Sequence, residues 1–321
     1  MPQDAINQFQ RILVTSEEQG LRILEDMISV PFDRDGGPCD PHNLIGFDTE
    51  TTSLTFPESK LVGFSVASPA LKTSAYFPIA HTTSLKELDP RNLPFSHWSP
   101  LRSSLQHLFH THKVVTHYGS HDILAMADFG VDIPMRYDTQ ILATALQKPR
   151  AGLKELVQEY GLVHYSKVIT YHRVLIEAGL RTYEDVVNET PEDADEYSFA
   201  PVDPWVLPIA LEYVTSDAIY PLYLWSMLNA EHIAQTGSGE LSDLILSAQY
   251  NTDTLLANQS AKGYMVSSEK VAQFITQFSE NLVSMEESIR QEVRAAYGWA
   301  QPDSVGSIPT GSTTPAHSLF S

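Results

Sequence analysis

The sequence is short of cysteine, of positive charge and of long apolar runs. A single cysteine in 321 residues, Cys39, excludes an intramolecular disulfide and a zinc site built on a Cys-x-x-Cys pair, and suits a reducing compartment. No apolar stretch approaches the ~18 residues of a membrane span, and Met1 to Gln10 is polar, with no apolar signal core. The chain therefore reads as soluble and cytoplasmic, with no membrane partner. Lys and Arg number 20 against 40 Asp and Glu, a net charge of −20, which argues against gripping nucleic acid over a broadly basic surface. The shortage is also local. No Lys or Arg stands between Arg181 and Lys262, and the same stretch holds fourteen carboxylates from Glu184 to Asp253.

Apolar content is ample: 42% hydrophobic and 10% aromatic residues exclude wholesale disorder. The length suits roughly two domains. The pattern predicts a strand over Phe9–Val14 and a helix over Ser16–Ile28, with Thr15 and Glu18 at capping-box spacing. Strands follow at Leu44–Thr49, Leu61–Ala67 and Ser74–Ile79, the last two joined as an antiparallel meander. A helix over Pro100–His110 leads to a buried-type strand, Lys113–Thr116. Helices are predicted over Ser120–Phe129, Asp138–Gln147 and Leu153–Tyr160. Residues 182–208 are acidic and proline-bearing and read as an exposed insertion or long loop. A helix over Pro208–Leu228 comes next, with a kink expected at Pro221. After the Gly237-Ser-Gly239 hinge, helices are predicted over Glu240–Ala261 and from Ser267 to about Ala296. The Pro-, Gly-, Ser- and Thr-rich tail 301–321 reads as unfolded on its own. Strands first and helices after give an α/β class: a mixed sheet domain over 1–232, a helical segment over 240–300, and a disordered tail over 301–321.

Three acidic features stand out. Asp48-Thr49-Glu50 closes the apolar run Leu44–Phe47, and alternate strand residues share a face, so both carboxylates point the same way. Unpaired, such acids repel and resist burial, a conflict that a divalent cation resolves. Asp122 lies at the start of the helix after the strand Lys113–Thr116, where a helix dipole alone would favour an acid. Tyr213 and Asp217 stand four apart on one helix face. Each feature has an ordinary structural explanation when taken singly. Together they form an ordered constellation.

In that order the chain resembles the DEDDy-type 3′→5′ exonucleases of the ribonuclease H-like fold, and more closely the proofreading domain of family A DNA polymerases. The resemblance rests on Ile45-Gly-Phe-Asp48-Thr-Glu50-Thr-Thr-Ser-Leu54, on Val114-Val-Thr-His-Tyr-Gly-Ser-His-Asp122-Ile-Leu124, on Asp138-Thr139 and Gly152-Leu153, and on Tyr213-Val-Thr-Ser-Asp217. It covers residues 9 to 229, and its first motif is the most specific. Lys262-Gly263-Tyr-Met-Val266 and the helix through Glu280, Met285 and Ile289 resemble the start of the polymerase thumb, without palm or fingers. Three departures stand out: Tyr118 replaces the family's usual Asn, His121 its usual aromatic, and Pro221 is unexpected in the third-motif helix.

The resemblance implies a ribonuclease H-like mixed sheet and two divalent ions, Mg2+ or Mn2+, held by Asp48, Glu50, Asp122 and Asp217. It implies that Tyr213 orients the attacking water, and that Thr51, Leu54 and His121 bind substrate. The implied reaction is metal-dependent removal of 3′-terminal nucleotides from single-stranded or frayed 3′ ends of DNA, releasing nucleoside 5′-monophosphates. A separate polymerase subunit or the missing polymerase body would be a partner, in a bacterial cell or phage-infected host. Two other readings stand beside it, a ribonuclease D-like exoribonuclease and a non-catalytic docking module for a polymerase. Lys148, Arg150, Lys154, Lys167, Arg173 and Arg181 form the concentrated basic stretch, read equally as a phosphate-steering surface or as solvated helix charge. His107, His110, His112, His117 and His121 lack the paired spacing of zinc ligands.

Overall fold

The computed structural model describes residues 2–31, 44–56, 58–133, 136–188 and 198–262, with isolated helical positions between 277 and 291. The chain opens with α1 (Pro2–Ile6), β1 (Gln10–Leu13) and α2 (Glu17–Ser29), followed by β2 (Leu44–Thr51), β3 (Leu61–Ser68) and β4 (Thr73–Pro78). Next come α3 (Pro100–Thr111), β5 (Lys113–Thr116), α4 (Gly119–Ala127), β6 (Arg136–Asp138), α5 (Thr139–Ala145) and α6 (Leu153–Glu159). Two short helices, α7 (Tyr171–Glu177) and α8 (Tyr183–Val187), precede the long α9 (Pro208–Thr236) and α10 (Gly239–Lys262).

The six strands form one sheet in the order β1-β4-β3-β2-β5-β6. β2, β3 and β4 make the expected antiparallel meander. β5 runs parallel to β2, and β6 parallel to β5. β1 adds a parallel strand outside β4. This mixed sheet with helices on both faces is the α/β, ribonuclease H-like architecture that the sequence implies.

Alternation along β2 decides what each face receives. Ile45 and Phe47 join a core with Leu24, Met27, Leu105 and Phe109 from α2 and α3. Phe47 meets Phe109 edge-on at 4.9 Å. Leu44 faces the other way, into a core with Leu142, Leu156, Leu224 and Trp225 from α5, α6 and α9. Each large apolar side chain fully buried in this way contributes about 1.5–3 kcal/mol before entropy is counted. Gly46 lies on the α9 side, where a Cβ would stand 1.8 Å from the Ala218 carbonyl oxygen. Only glycine lets α9 lie this close to the central strand.

Several expectations shift. The cap of α2 is Ser16, one residue later than the expected Thr15; it accepts from the Gln19 amide, while the Gln19 side chain accepts from the Thr15 amide. Asp138 ends β6 and caps α5 instead of opening the helix. Residues 182–208 include α8, whose N-cap Thr182 forms a capping box with Asp185; residues 189–197, with Glu192, Asp193, Asp195 and Glu196, lie outside the described residues. α9 runs through Pro221 to Thr236 and ends at Gly237 in the left-handed region, φ 76°, eight residues beyond the expected Leu228. The chain divides into compact units at Met1–Gly263 and Tyr264–Ser321. α10 buries Leu246 and Tyr250 in the core it shares with α9 and so belongs to the first compact unit. The tail 301–321, most of the expected thumb helix and Cys39 lie outside the described residues. Among the described residues no helix is long and apolar enough to cross a membrane.

Candidate active site

The parity that places Gly46 under α9 also places Asp48 and Glu50 on the α9 side of β2, two and four residues on. Asp217 stands on α9 one residue before Ala218, the point of closest approach at Gly46, and Tyr213 lies one turn earlier. Thr49, of opposite parity, donates its hydroxyl to the Asp122 carboxylate at 2.8 Å. Three elements thus deliver Asp48, Glu50, Asp122, Tyr213 and Asp217 to one cavity of about 330 Å³. Glu50, Asp122 and Asp217 are all buried, at 8%, 3% and 6% exposure. Pro221 has no amide to return to the Asp217 carbonyl, so the α9 ladder lacks a bond beside this acid.

Asp138 fixes the opposite wall. Its carboxylate accepts from the amides of Tyr118 and Gly119 at 3.3 and 2.6 Å, and from those of Gln140 and Ile141 at 2.8 and 3.1 Å. One buried acid therefore anchors the starts of both α4 and α5, and with α4 the position of Asp122. Tyr118 precedes α4 in the left-handed region at φ 62°, a conformation that Asn tolerates better than Tyr.

The electrostatics are severe. Burial raises the Asp48 carboxyl well above its usual range, and the charges of Glu50, Asp217 and Asp122 push it further. Glu50 is raised by burial and then by Asp217. Asp217 is raised by burial, while Lys154 and the Tyr213 hydroxyl, which hydrogen-bond to it, pull the other way. Tyr213 is held neutral well above 10, chiefly by burial. The Lys154 ammonium pairs with Asp217 and lies over the rings of Tyr213 and Tyr220 at 4.5 and 5.3 Å. Among the described residues, no three His, Cys, Asp or Glu side chains converge closely enough to ring one ion; the acids act on one another by charge without reaching ligand spacing. The donor set nevertheless fits a hard divalent cation: carboxylate oxygens in one cavity, whose ionised forms repel until a cation compensates them.

The expected substrate residues rim the same cavity. Leu54 is 67% exposed. The Thr51 hydroxyl lies 3.2 Å from His121 Nε2 and donates to the Ser53 carbonyl at 2.8 Å. Burial lowers the His121 pKa to about 4, so its ring is neutral, edge-on to Phe56 and stacked near Tyr118. Tyr171 and Phe199, not singled out in the sequence, stack with one another and line the cavity. Of the basic stretch, Lys154 enters the site. Lys148 pairs with Glu159 and Glu231, and Arg173 with Glu177. Lys154 and Asp138 carry weight that spacing alone does not reveal, because their partners lie on distant elements.

The mixed sheet thus carries four acids and a tyrosine in one cleft. The sequence model of the 3′–5′ exonuclease matches residues 39–232, and the chain belongs to that family, the exonuclease type found in A-type DNA polymerases. It is 25% identical over 247 residues to DNA polymerase I of Chloroflexus aurantiacus, covering 77% of this chain and 23% of that protein; the chain thus spans about a quarter of its relative's length. Among solved structures it is similar to the catalytic core of RRP6 from Trypanosoma brucei, at 14% identity and TM-score 0.47, covering 77% of this chain and 52% of the other. It is also similar to Escherichia coli RNase D, at 17% identity and TM-score 0.45, covering 78% and 51%, and to Brucella melitensis NrnC with bound Mg2+, at 18% identity and TM-score 0.42, covering 70% and 90%.

Proposed function

We propose that this 3′–5′ exonuclease removes 3′-terminal nucleotides from DNA, using two divalent ions, Mg2+ or Mn2+, and releasing nucleoside 5′-monophosphates. The observation that carries the reading is the gathering of Asp48, Glu50, Asp122 and Asp217 beside Tyr213, with burial and mutual repulsion raising the Asp48, Glu50 and Asp217 carboxyls. Asp48, Glu50 and Asp217 would hold one ion, and Asp48 with Asp122 the other. When bound, such ions supply charge stabilisation to an in-line displacement at phosphorus.

The residues of the chain do the rest. Tyr213, held neutral, offers its hydroxyl to the water that attacks; with its pKa raised it orients that water and does not deprotonate it. Thr49 holds Asp122 in place. Thr51, Leu54 and His121 form the surface on which a terminal nucleotide sits, and a neutral His121 stacks without adding charge. The assignment to DNA rests on the relative, which is named a DNA polymerase. On that basis the substrate is a single-stranded or frayed 3′ end, and the partner a polymerase body in the same cytoplasm.

The test is to supply matched single-stranded and 3′-recessed DNA and RNA with Mg2+, Mn2+ or EDTA. Cation-dependent mononucleotide release from DNA, lost in Asp48→Ala, is expected. Release from RNA alone would refute the DNA assignment, and release in EDTA would refute the metal dependence.

A further inference from the structure

Lys154 is an unusual residue to find in the first turn of α6. A helix N-terminus disfavours a cation, so the helix itself gives no reason for one here. Its ammonium nevertheless turns inward, with a side chain only 18% exposed, onto Asp217, 63 residues away in sequence. The same ammonium lies over the faces of Tyr213 and Tyr220. A cation over an aromatic face in a desolvated site is held by the ring quadrupole as well as by the acid. The position is thus explained by the acid cluster and its tyrosines, not by helix α6.

We propose that Lys154 is a tethered counter-cation that occupies Asp217 in the cation-free protein and competes with the divalent ion for that carboxylate. This inference rests on the metal-dependent reading above. Its physical content is an exchange: the site stays folded without metal because one positive charge already sits among the acids, and a divalent ion binds only by displacing it. Charge from Lys154 acts on Asp48, Glu50 and Asp217 together, lowering all three against burial, so the ammonium serves the cluster and not one partner. Lys148 is not available for the role, being engaged by Glu159, Glu231 and the Tyr160 ring. Lys154 is a positioning residue in this account, since it sets the cation threshold through Asp217 without touching substrate.

The experiment uses the full chain without nucleic acid. Mn2+ affinity is measured by calorimetry for wild type, Lys154→Met and Lys154→Arg, with thermal unfolding in EDTA and in saturating Mn2+. Methionine keeps the length and the contact with the tyrosine rings. A coupling at the low end of the usual range predicts that Lys154→Met binds Mn2+ about tenfold more tightly, melts lower than wild type in EDTA, and regains the difference in Mn2+. Lys154→Arg, which keeps the charge, holds its affinity near wild type. Unchanged or weaker binding by Lys154→Met, or equal tightening in both variants, overturns the proposal while leaving the exonuclease reading intact. Absence of Mn2+ binding in wild type sinks both. Should Lys154→Met not fold, Lys154→Gln is read in the same way, and failure of both to fold marks the residue as structural and overturns the proposal.

Discussion

At the scale of single residues, buried charge sets the terms. Asp48 is raised first by burial and then by its neighbours, so removing its charge relieves the cation-free protein. Asp48→Asn should raise stability in EDTA by about 1 kcal/mol, a melting shift of about 2–4 °C for a unit of this size, while abolishing nuclease activity; a lower melting point in EDTA would contradict this. His81 gives the pH dependence. It is 1% exposed, with Nδ1 2.7 Å from the Val202 carbonyl and Nε2 2.7 Å from the Tyr76 hydroxyl. With Nδ1 donating to that carbonyl, Nε2 accepts from Tyr76, which fits a neutral ring. Burial depresses its pKa to about 4, against the opposing pull of Asp203 and Asp89. The unfolded chain binds this proton near 6.5 and the folded chain only near 4, so the stability is present above 6.5 and lost as pH falls toward 4. The loss relative to His81→Gln should reach about 3 kcal/mol in urea unfolding. Equal pH profiles for the two proteins would show that His81 does not titrate in this way. Tyr118 supplies a third test: Tyr118→Asn at φ 62° should stabilise by roughly 0.5–1 kcal/mol in the same assay, since Asn accepts the left-handed region more readily.

At the scale of elements, the site is made by the approach of α9 to β2. Gly46→Ala sets a Cβ against the Ala218 carbonyl. It should destabilise by about 1–3 kcal/mol and lower nuclease turnover further than stability explains, because Asp217 moves from Asp48. Wild-type turnover in a folded Gly46→Ala protein would show that the approach is not needed. Much of this was legible in the sequence. β2 through β5 announced themselves as apolar runs, and the acids of β2, α4 and α9 fell into an ordered constellation. β6 was not legible, because its three residues run directly into α5 and Asp138 serves both as strand end and as cap. α7, at seven residues, offers no more than about two turns in which a helical period could show, and α8, at five, is hidden in an acidic, proline-bearing stretch. The ion pair of Lys154 with Asp217 was hidden by distance along the chain: spacing within one helix predicts neighbours at three and four residues, not at 63.

At the scale of the whole molecule, the first compact unit takes in α10. Ending the chain at residue 238 would uncover the core that Leu246 and Tyr250 close against Trp225 and Tyr137. Such a truncation should melt well below the full chain or fail to remain soluble, whereas unchanged melting would show that α10 adds nothing to the stability of the first unit. The scarcity of positive charge takes on a location at this scale. The cleft relies on four acids and one inward lysine, and the acid-rich stretch from Glu184 to Asp253 lacks any Lys or Arg. A substrate backbone therefore finds no basic surface along that stretch. Cutting by the acid cleft from the 3′ end with a divalent cation is read from a 5′-labelled DNA oligonucleotide incubated with the full chain in Mg2+. The expected result is a ladder shortening one nucleotide at a time from the 3′ end, with nucleoside 5′-monophosphates as product and no ladder from Asp48→Ala. An intact oligonucleotide with the wild-type protein, or an equal ladder from the Asp48→Ala protein, would contradict it.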